Sequence, residues 1–173
     1  MRLLLSMRAL FIGRFQPLHL GHVSILKNFD FEFVIAIGSA YESFTKENPF
    51  TAGERYEMIY EALKEYKIKK FYIAPVPDIN RYGVYAKHVV DLIPSFDKVI
   101  SNNLVIKEIF EREGYEVLSV PLFKRNEYKG AIIRKRIAEK KKWNHLVPKS
   151  VADYIKKIKG VERIRNIWNA KDF

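Results

Sequence analysis

Residues 8–22 of this 173-residue chain read Arg-Ala-Leu-Phe-Ile-Gly-Arg-Phe-Gln-Pro-Leu-His-Leu-Gly-His. An apolar run typical of a buried strand is followed by a glycine and by two histidines three residues apart, where a helix is predicted to begin. Such a junction presents backbone N–H groups and the positive end of a helix dipole, which favour a phosphate. His19 and His22 share one helix face and can reach the same anion. The stretch therefore predicts a nucleotide site.

Apolar strands and amphipathic helices alternate as far as Val120. The predicted strands are Arg8–Gly13, Phe31–Gly38, Lys69–Val76, Asp97–Ser101 and Tyr115–Val120, and the predicted helices are His19–Phe29, Ala52–Tyr66, Val84–Ile93 and Leu104–Glu113. This alternation predicts an α/β fold, a doubly wound parallel five-stranded sheet. Ligands of such sheets bind at the carboxyl ends of the strands, near the reversal of strand order. The segments that follow the strands, 13–22, 38–50, 76–83 and 101–103, are therefore expected to form one site.

After Val120 the pattern predicts helices alone. They are Gly130–Lys142, Pro148–Lys159 and Val161–Trp168, with Gly114 and Gly160 at predicted helix C-caps. We therefore expect a single domain over residues 1–173. Its α/β core spans about 7–128, and a basic C-terminal helical extension packs on it from about 129 to 173.

Charge is concentrated in that extension. Residues 129–173 carry 14 of the 31 Lys and Arg residues but only 4 of the 20 Asp and Glu residues, in a chain of net charge +11. A polyanionic partner and a set of solvated helix faces both fit this pattern.

The chain has no cysteine and no 18-residue apolar run, so disulfides are excluded and no membrane span is predicted. Whether the chain starts at Met1 or at Met7, its opening residues lack the features of a signal peptide. We therefore expect a cytoplasmic protein.

The resemblance to a known family starts from the same stretch. Gly-Arg-Phe-Gln-Pro-x-His-x-Gly-His, residues 13–22, resembles the first signature of the nucleotidyltransferase superfamily, and its long form resembles the archaeal nicotinamide-mononucleotide adenylyltransferases. Further matching stretches are 37–40, 47–55, 77–79, 114–117, 145–148 and 159–163, so the resemblance spans about 7–165. It implies a Rossmann-like nucleotidyltransferase fold. It also implies adenylyl transfer from ATP to nicotinamide mononucleotide (NMN), giving NAD and pyrophosphate, with Mg²⁺ carried by ATP, and a homo-oligomer, a hexamer.

The second signature of that superfamily, a Ser/Thr-rich turn leading to arginine, matches residues 128–136 in part. Gly130, Ile133, Arg134 and Arg136 stand in the expected places. Lys129 and Ala131 replace the usual Ser and Thr, which removes two hydroxyl contacts to phosphate. A lysine supplies charge there without the geometry of a hydroxyl.

The resemblance assigns three groups of site residues. The predicted catalytic residues are His19, His22, Arg14 and Arg134. The predicted ATP-binding residues are Gly13, Phe15, Gln16, Gly21, Asn103, Gly130, Ile133 and Arg136. The predicted NMN-binding residues are Ile37, Gly38, Ser39, Asn48, Phe50, Arg55, Asp78 and Tyr85. Two histidines without a third ligand make a poor zinc site, so no metal-ligating side chains are predicted.

Some residues keep two interpretations. Tyr85 either stacks on the nicotinamide ring or packs as an ordinary helix residue. Asn102 and Asn103 either bind adenine or ribose or form a turn. Arg55 lies in the first turn of a helix, where a cation is misplaced, so it acts outside the helix or in a local salt bridge.

Three other functions stay open at this point. Another superfamily member would transfer a nucleotide to a different acceptor, such as pantetheine phosphate or flavin mononucleotide. A nucleic-acid-binding module would use the basic extension, but no binding signature or exposed aromatic series accompanies it, so no specific nucleic acid is expected. A nucleotide sensor would bind ATP without turnover.

Overall fold

Five parallel strands form one sheet in the computed structural model, which describes residues 7–120 and 127–170. The strands are β1 (Arg8–Gly13), β2 (Glu32–Ile37), β3 (Phe71–Pro75), β4 (Lys98–Ile100) and β5 (Glu116–Leu118). Their spatial order is β3-β2-β1-β4-β5, and every neighbouring pair is parallel. The predicted five-stranded doubly wound sheet is confirmed. The strand order reverses between β1 and β4, which places the switch point at their carboxyl ends.

Seven α-helices connect and cover these strands within the described residues. They are α1 (Leu20–Lys27), α2 (Ala52–Glu65), α3 (Tyr85–Leu92), α4 (Leu104–Arg112), α5 (Gly130–Ala138), α6 (Lys149–Lys157) and α7 (Gly160–Asn169). Short 3-10 helices occupy Tyr82–Val84 and Asn144–Leu146. None of the helices in the described part of the chain is long and apolar enough to cross a membrane.

Alternate side chains of the strands fill two separate cores. From β1, Ala9 and Phe11 enter one core together with side chains of α1, α2, α5, α6 and α7. Leu10 enters the other core, together with side chains of α3 and α4. Period-two alternation on a sheet covered on both faces produces this division. The apolar strands predicted from sequence are apolar because neither face meets water.

The predicted boundary of α5 and the predicted role of Gly160 are wrong. Helix α5 ends at Ala138 instead of Lys142, because Lys140 adopts a left-handed conformation (φ 57°) and the Lys141 N–H bonds the Arg136 carbonyl oxygen. Gly160 begins α7 instead of capping α6, and the left-handed residue there is Lys159 (φ 55°). A Cβ at position 160 would lie 2.8 Å from the Phe50 ring, so packing excludes a side chain. Gly114 does take the predicted position after α4 (φ 86°).

The C-terminal helices pack on the α/β core through described contacts. Helix α6 packs against α2, and α7 packs against α5 and α6. Arg163 of α7 donates to both carboxylate oxygens of Glu54 at 2.6 and 2.7 Å, at the first turn of α2. Glu54 also completes a capping box with Thr51. The helix that follows the 38–50 loop is thereby fixed at its N-terminus. Residues 1–6, 121–126 and 171–173 of the predicted domain lie outside the described residues.

Candidate active site

Two cavities open at the carboxyl ends of the strands, on either side of the switch point. The first, called the histidine pocket, has a volume of about 230 Å³. Its lining comes from the ends of β1, β4 and β5 and from α1: Phe11, Ile12, His19, Gly21, His22, Ile25, Ile100, Ser101, Asn102, Asn103, Val120 and Tyr128. The pocket therefore lies where doubly wound sheets bind their ligands.

The two predicted catalytic histidines form one stacked pair in this pocket. Their ring centroids are 3.6 Å apart, with planes inclined by 23°. The backbone N–H of His19 donates to Nδ1 of His22 at 3.1 Å. Nδ1 of His19 is buried and has no hydrogen-bond partner among the described residues. Gly21 makes room for the pair, because a Cβ there would lie 3.0 Å from the His19 ring and 2.9 Å from Tyr128.

Both imidazoles are neutral in this arrangement. Burial lowers the pKa of His19 to about 4. Burial, together with the neighbouring His19, holds the pKa of His22 well below its usual range. Because Nδ1 of His22 accepts a hydrogen bond, the proton of its neutral ring resides on Nε2. His22 can then donate from Nε2 to an anion without losing the bond that begins α1.

The second cavity, called the arginine pocket, has a volume of about 280 Å³. Its lining comes from the loops after β1, β2, β3 and β4: Arg14, Ser39, Asp78, Ile79, Asn80, Arg81, Tyr82, Tyr85, Asn103 and Ile106. Asn103 lines both pockets, so they adjoin at the end of β4. The side chains of Arg14, Arg81 and Asp78 form no hydrogen bond or ion pair with any described residue. Their charges are available to a ligand.

Arg55 lies beneath the loops and holds them together. Its side chain is fully buried and donates to six backbone carbonyl oxygens. The acceptors are those of Thr51, Arg14, Gly38, Ser39, Ala40 and Glu42, at 2.8–3.5 Å. Burial, then the nearby Arg14, lowers the pKa of Arg55 to about 10. Of its two sequence interpretations, the role outside the helix is confirmed, because five of the six acceptors lie in loops outside α2. Arg55 forms no salt bridge with a described residue and lines neither pocket.

Gln16 and Arg134 connect the same loops from the other side. The Gln16 amide donates to the Phe50 carbonyl at 2.8 Å and accepts from the Phe50 N–H at 3.0 Å. Arg134, only 7% exposed, donates from Nη1 to the Gln16 carbonyl at 2.7 Å and from Nε to that of Lys46 at 2.9 Å. Burial, then Arg14, lowers the pKa of Arg134 to about 10. Nη2 of Arg134 forms no hydrogen bond with a described residue and is available to a ligand.

The start of α5 packs closely on the first loop. A Cβ at Gly130 would lie 2.9 Å from the Gln16 carbonyl oxygen, so this position admits no side chain. Lys129 is the N-cap and forms no side-chain cap. Ile133 is fully buried, and Arg136 donates to the Lys142 carbonyl instead of lining either pocket. Helical geometry explains the difference between Arg134 and Arg136, because residues two apart lie on opposite faces.

Most of the predicted NMN-binding residues of β2 and its loop support the site from below. Ile37 and Phe50 are fully buried, and Asn48 is buried with Oδ1 unpaired. The Gly38 N–H donates to the Gly13 carbonyl at 2.9 Å, joining the first two loops. Ser39 alone of these lines the arginine pocket.

Phe15 has a comparable supporting position in the first loop. It is 2% exposed, and its ring packs 5.7 Å from that of Phe11. A Cβ at Gly13 would lie 3.1 Å from the Phe15 ring. This contact accounts for the glycine at the end of β1.

For Tyr85, Asn102 and Asn103 the packing or turn interpretation is confirmed, and each side chain also lines a pocket. Their binding of nicotinamide, adenine or ribose stays a prediction. Tyr85 is 9% exposed, packs in the second core and also lines the arginine pocket. Burial, then Asp78 and Tyr82, raises its pKa to about 12. The Asn102 amide bonds both the N–H and the carbonyl of Val120, and Asn103 Oδ1 accepts from two N–H groups of α4. Both asparagines therefore have structural bonds while they line the histidine pocket.

Sequence reasoning missed Arg81, Tyr82 and Tyr128 as lining residues. The position of loop 76–83 after β3 predicts that it lies at the site, but no motif distinguishes its individual side chains. Tyr128 comes from the far end of the chain and reaches the pocket through its packing on Gly21. Among the described residues, no group of three or more His, Cys, Asp or Glu side chains is placed to hold a metal ion.

Comparison with known proteins agrees with this geometry. The cytidylyltransferase-like family matches residues 10–136. The nicotinamide-nucleotide adenylyltransferase of Archaeoglobus fulgidus is 46% identical over 176 residues, covering 96% of this chain and 100% of that protein. The one from Thermococcus kodakarensis is 45% identical over 164 residues, covering 91% and 87%. The chain belongs to the cytidylyltransferase-like family and, within it, to the nicotinamide-nucleotide adenylyltransferases. The family resemblance predicted from the sequence is confirmed.

Another protein, of known structure, has the same fold as this chain. A bifunctional NMN adenylyltransferase/ADP ribose pyrophosphatase from Francisella tularensis, complexed with AMP and an Mn ion, superposes with a TM-score of 0.70 at 20% identity. The match covers 94% of this chain and 52% of that one, so this chain spans about half the length of that protein. At this identity the likeness concerns the fold alone.

Proposed function

We propose that this protein transfers the adenylyl group of ATP to NMN, forming NAD and pyrophosphate. The observation that carries the proposal is the stacked His19–His22 pair at the switch point, beside a second pocket that adjoins it at Asn103. In this assignment ATP occupies the histidine pocket and NMN the arginine pocket. The two phosphates then meet near the carboxyl end of β1.

The reaction needs no nucleophilic side chain. A phosphate oxygen of NMN attacks the α-phosphorus of ATP, a phosphoanhydride bond forms, and the bond to pyrophosphate breaks. The attacking phosphate monoester is already an anion near neutral pH, so the protein contributes position and charge stabilisation. His22 donates from Nε2 to the triphosphate, and the unpaired Arg14 contacts the region between the two substrates.

The second signature takes a smaller part in this mechanism. Arg134 has two of its nitrogen atoms bonded to backbone carbonyls, which leaves Nη2 for the outer phosphates. Lys129, exposed at the N-cap of α5, supplies a positive charge in place of the hydroxyls. Arg136 is predicted from the resemblance to contact phosphate, but it lines neither pocket, and its contact is the weakest element of the proposal.

Mg²⁺ enters the proposal as part of the substrate. The described residues offer no cluster of ligands for a metal ion, whereas phosphate oxygens and water are ligands that Mg²⁺ favours. We therefore propose that the ion is held by the phosphates of ATP and neutralises the departing pyrophosphate. Its identity as Mg²⁺ is tested by comparing Mg²⁺ and Mn²⁺ in the assay.

An acceptor-panel assay tests the proposed function. Purified protein is incubated with ATP, Mg²⁺ and one of NMN, pantetheine phosphate or flavin mononucleotide, and pyrophosphate and dinucleotide products are measured. We expect NAD formation to dominate. Faster turnover of another acceptor would assign a different transferase. ATP binding without product would indicate a nucleotide sensor, and tight nucleic-acid binding at physiological salt would support the basic-extension alternative.

The homo-oligomer remains a proposal taken from the resemblance. Exposed apolar side chains next to the arginine pocket support it, because Leu104 is 80% and Tyr82 69% exposed. Light scattering of the purified protein distinguishes a hexamer from smaller assemblies.

A further inference from the structure

We propose that Arg163, on the C-terminal helix α7, is a positioning residue for the outer phosphates of ATP and acts on Arg134 through residues 44–50. Arg163 lines neither pocket, so its effect on a substrate is exerted through other side chains. The inference rests on the proposed function, because it concerns the triphosphate of the same substrate. It goes further by giving the C-terminal helices a part in binding ATP.

Arg163 holds residues 44–50 from their outer side. Its Nη1 donates to the Pro49 carbonyl oxygen at 3.2 Å, and its guanidinium carbon lies 4.6 Å from the centre of the Phe44 ring. The bidentate pair with Glu54 fixes the plane of the guanidinium while it makes these contacts. Phe44 has a φ of 57°, a left-handed conformation that persists only where surrounding contacts hold it. The position of residues 44–50 therefore depends on α7.

The inner side of the same residues holds Arg134. Nε of Arg134 donates to the Lys46 carbonyl oxygen at 2.9 Å, and Nη1 donates to that of Gln16 at 2.7 Å. The Gln16 side chain is bonded in turn to the backbone of Phe50. A guanidinium is planar and rigid, so the positions of these two acceptors determine where Nη2 points. A shift of residues 44–50 moves one acceptor directly and the other through Phe50.

The first part of the same loop, residues 38–42, is held separately. Arg55 donates to the carbonyl oxygens of Gly38 and Ser39 at 2.8 and 3.0 Å, and Ser39 lines the arginine pocket. None of the hydrogen bonds between Arg163 and described residues reaches this part of the loop. Loss of Arg163 should therefore alter the outer-phosphate end of the site and leave the arginine pocket unchanged.

Binding of ATP and of AMP to the Arg163→Met variant tests the inference. AMP carries the adenosine and the α-phosphate of ATP but lacks the two outer phosphates. We expect the dissociation constant of ATP with Mg²⁺ to rise about tenfold, because one charge-assisted contact is lost, and that of AMP to change by less than about twofold. Isothermal titration calorimetry measures both. Steady-state kinetics should show the same rise in KM for ATP, with KM for NMN little altered.

Two further variants test the route through Arg134. Arg163→Lys keeps the charge but loses the bidentate fork, so its ATP affinity should lie between those of the wild type and Arg163→Met. It also decides the test if Arg163→Met does not fold. In a double variant of Arg163→Met with Arg134→Gln, the second substitution should add little further loss of ATP affinity, because the two residues act on the same contact.

Arg8→Met is the matched control. Arg8 also donates to a carboxylate, that of Glu32 at 2.7 Å, and its guanidinium carbon lies 4.9 Å from the centre of the Tyr72 ring. It begins β1 at the amino end of the sheet and lines neither pocket. We expect the temperature of unfolding to fall as in Arg163→Met, while the ratio of the ATP and AMP affinities stays that of the wild type.

Wild-type ATP affinity in folded Arg163→Met would overturn the inference. An equal loss of ATP and AMP affinity would also overturn it, because Arg163 would then support the whole fold and not the outer phosphates. Additive losses in the double variant would overturn the route through Arg134. Failure to form NAD in the acceptor-panel assay would overturn the proposed function instead, and the ratio of the ATP and AMP affinities would still decide this inference.

Discussion

Arginines occur both in the layer of side chains beneath the loops and in the layer that faces the pockets. The two layers differ in the burial of these arginines and in their hydrogen bonds. Arg55 and Arg134 are buried and bonded to backbone carbonyls of the loops. Arg14 and Arg81 line the arginine pocket and have no hydrogen-bond or ion-pair partner among the described residues. The arginines of the candidate site therefore fall into two groups that burial distinguishes. The buried pair fixes the shape of the loops, and we propose that the open pair supplies charge to the ligand.

The largest effect is expected for the variant Arg55→Met. Loss of the guanidinium leaves several buried carbonyl oxygens without donors, so the free energy of unfolding should fall by about 3–5 kcal/mol. Denaturant titration followed by circular dichroism measures it. Arg81→Met is the control, and its effect should stay within about 0.5 kcal/mol. Similar values for the two variants would remove the distinction between the layers.

The variant His22→Ala should lower kcat by about 100-fold, the size expected when one preorganised donor to developing charge is lost. His145→Ala provides the control, since His145 is exposed on the 3-10 helix far along the chain. Steady-state kinetics with ATP and NMN measure both. A normal kcat in the folded His22→Ala protein would remove His22 from the mechanism.

Acidification should destabilise the folded protein through His19, which is buried although it lines the histidine pocket. Its pKa is about 4 in the folded protein against about 6.5 in the unfolded chain, so the unfolded state binds the extra proton. The contribution of neutral His19 to the free energy of unfolding is fully present above pH 6.5 and is lost as the pH falls towards 4. Between pH 7 and pH 5 His19 alone should account for a loss of about 2 kcal/mol, and His22, whose pKa is also lowered by burial, adds to the loss. Thermal denaturation over this range checks it, and His19→Asn should reduce the dependence.

The variant Arg14→Gln should lower kcat/KM by about tenfold, because in the proposed function the unpaired guanidinium of Arg14 contacts the substrates. Its free energy of unfolding should change by less than about 0.5 kcal/mol. Kinetics and denaturant titration of the same preparation test both statements. A large stability loss without a kinetic effect would place Arg14 in the buried layer instead.

The smallest effect concerns the N-cap of α5. Lys129 forms no side-chain cap, so Lys129→Ser should raise the free energy of unfolding by about 0.5–1 kcal/mol through a new bond to an N–H of the first turn. Lys129→Ala, which removes the same charge without a cap, is the matched control. Equal stability of the two variants would indicate that the backbone N–H groups in the first turn of α5 gain nothing from a side-chain cap.

The sequence by itself determined the sheet, the order of its elements and the position of the site. Near-continuous apolar strands that alternate with amphipathic helices left few alternatives to a doubly wound sheet, and its parallel strands bring their following loops to one edge. The histidine spacing then placed two imidazoles together at the N-terminus of α1, His19 at the N-cap and His22 in the first turn. These features are local, and local patterns suffice to predict them.

Only the tertiary structure decided what each site residue contacts. Arg55, Gln16 and Phe50 belong to stretches that match the family's motifs, yet their hydrogen bonds join them to the backbone of other loops. Arg81 belongs to no recognised motif and lies in the pocket. The helix end at Lys140 and the packing of Gly160 on Phe50 were likewise unpredictable from neighbours in sequence. The physical reason is common to all of them, because burial and hydrogen-bond partners depend on which distant segments the fold brings within a few ångströms.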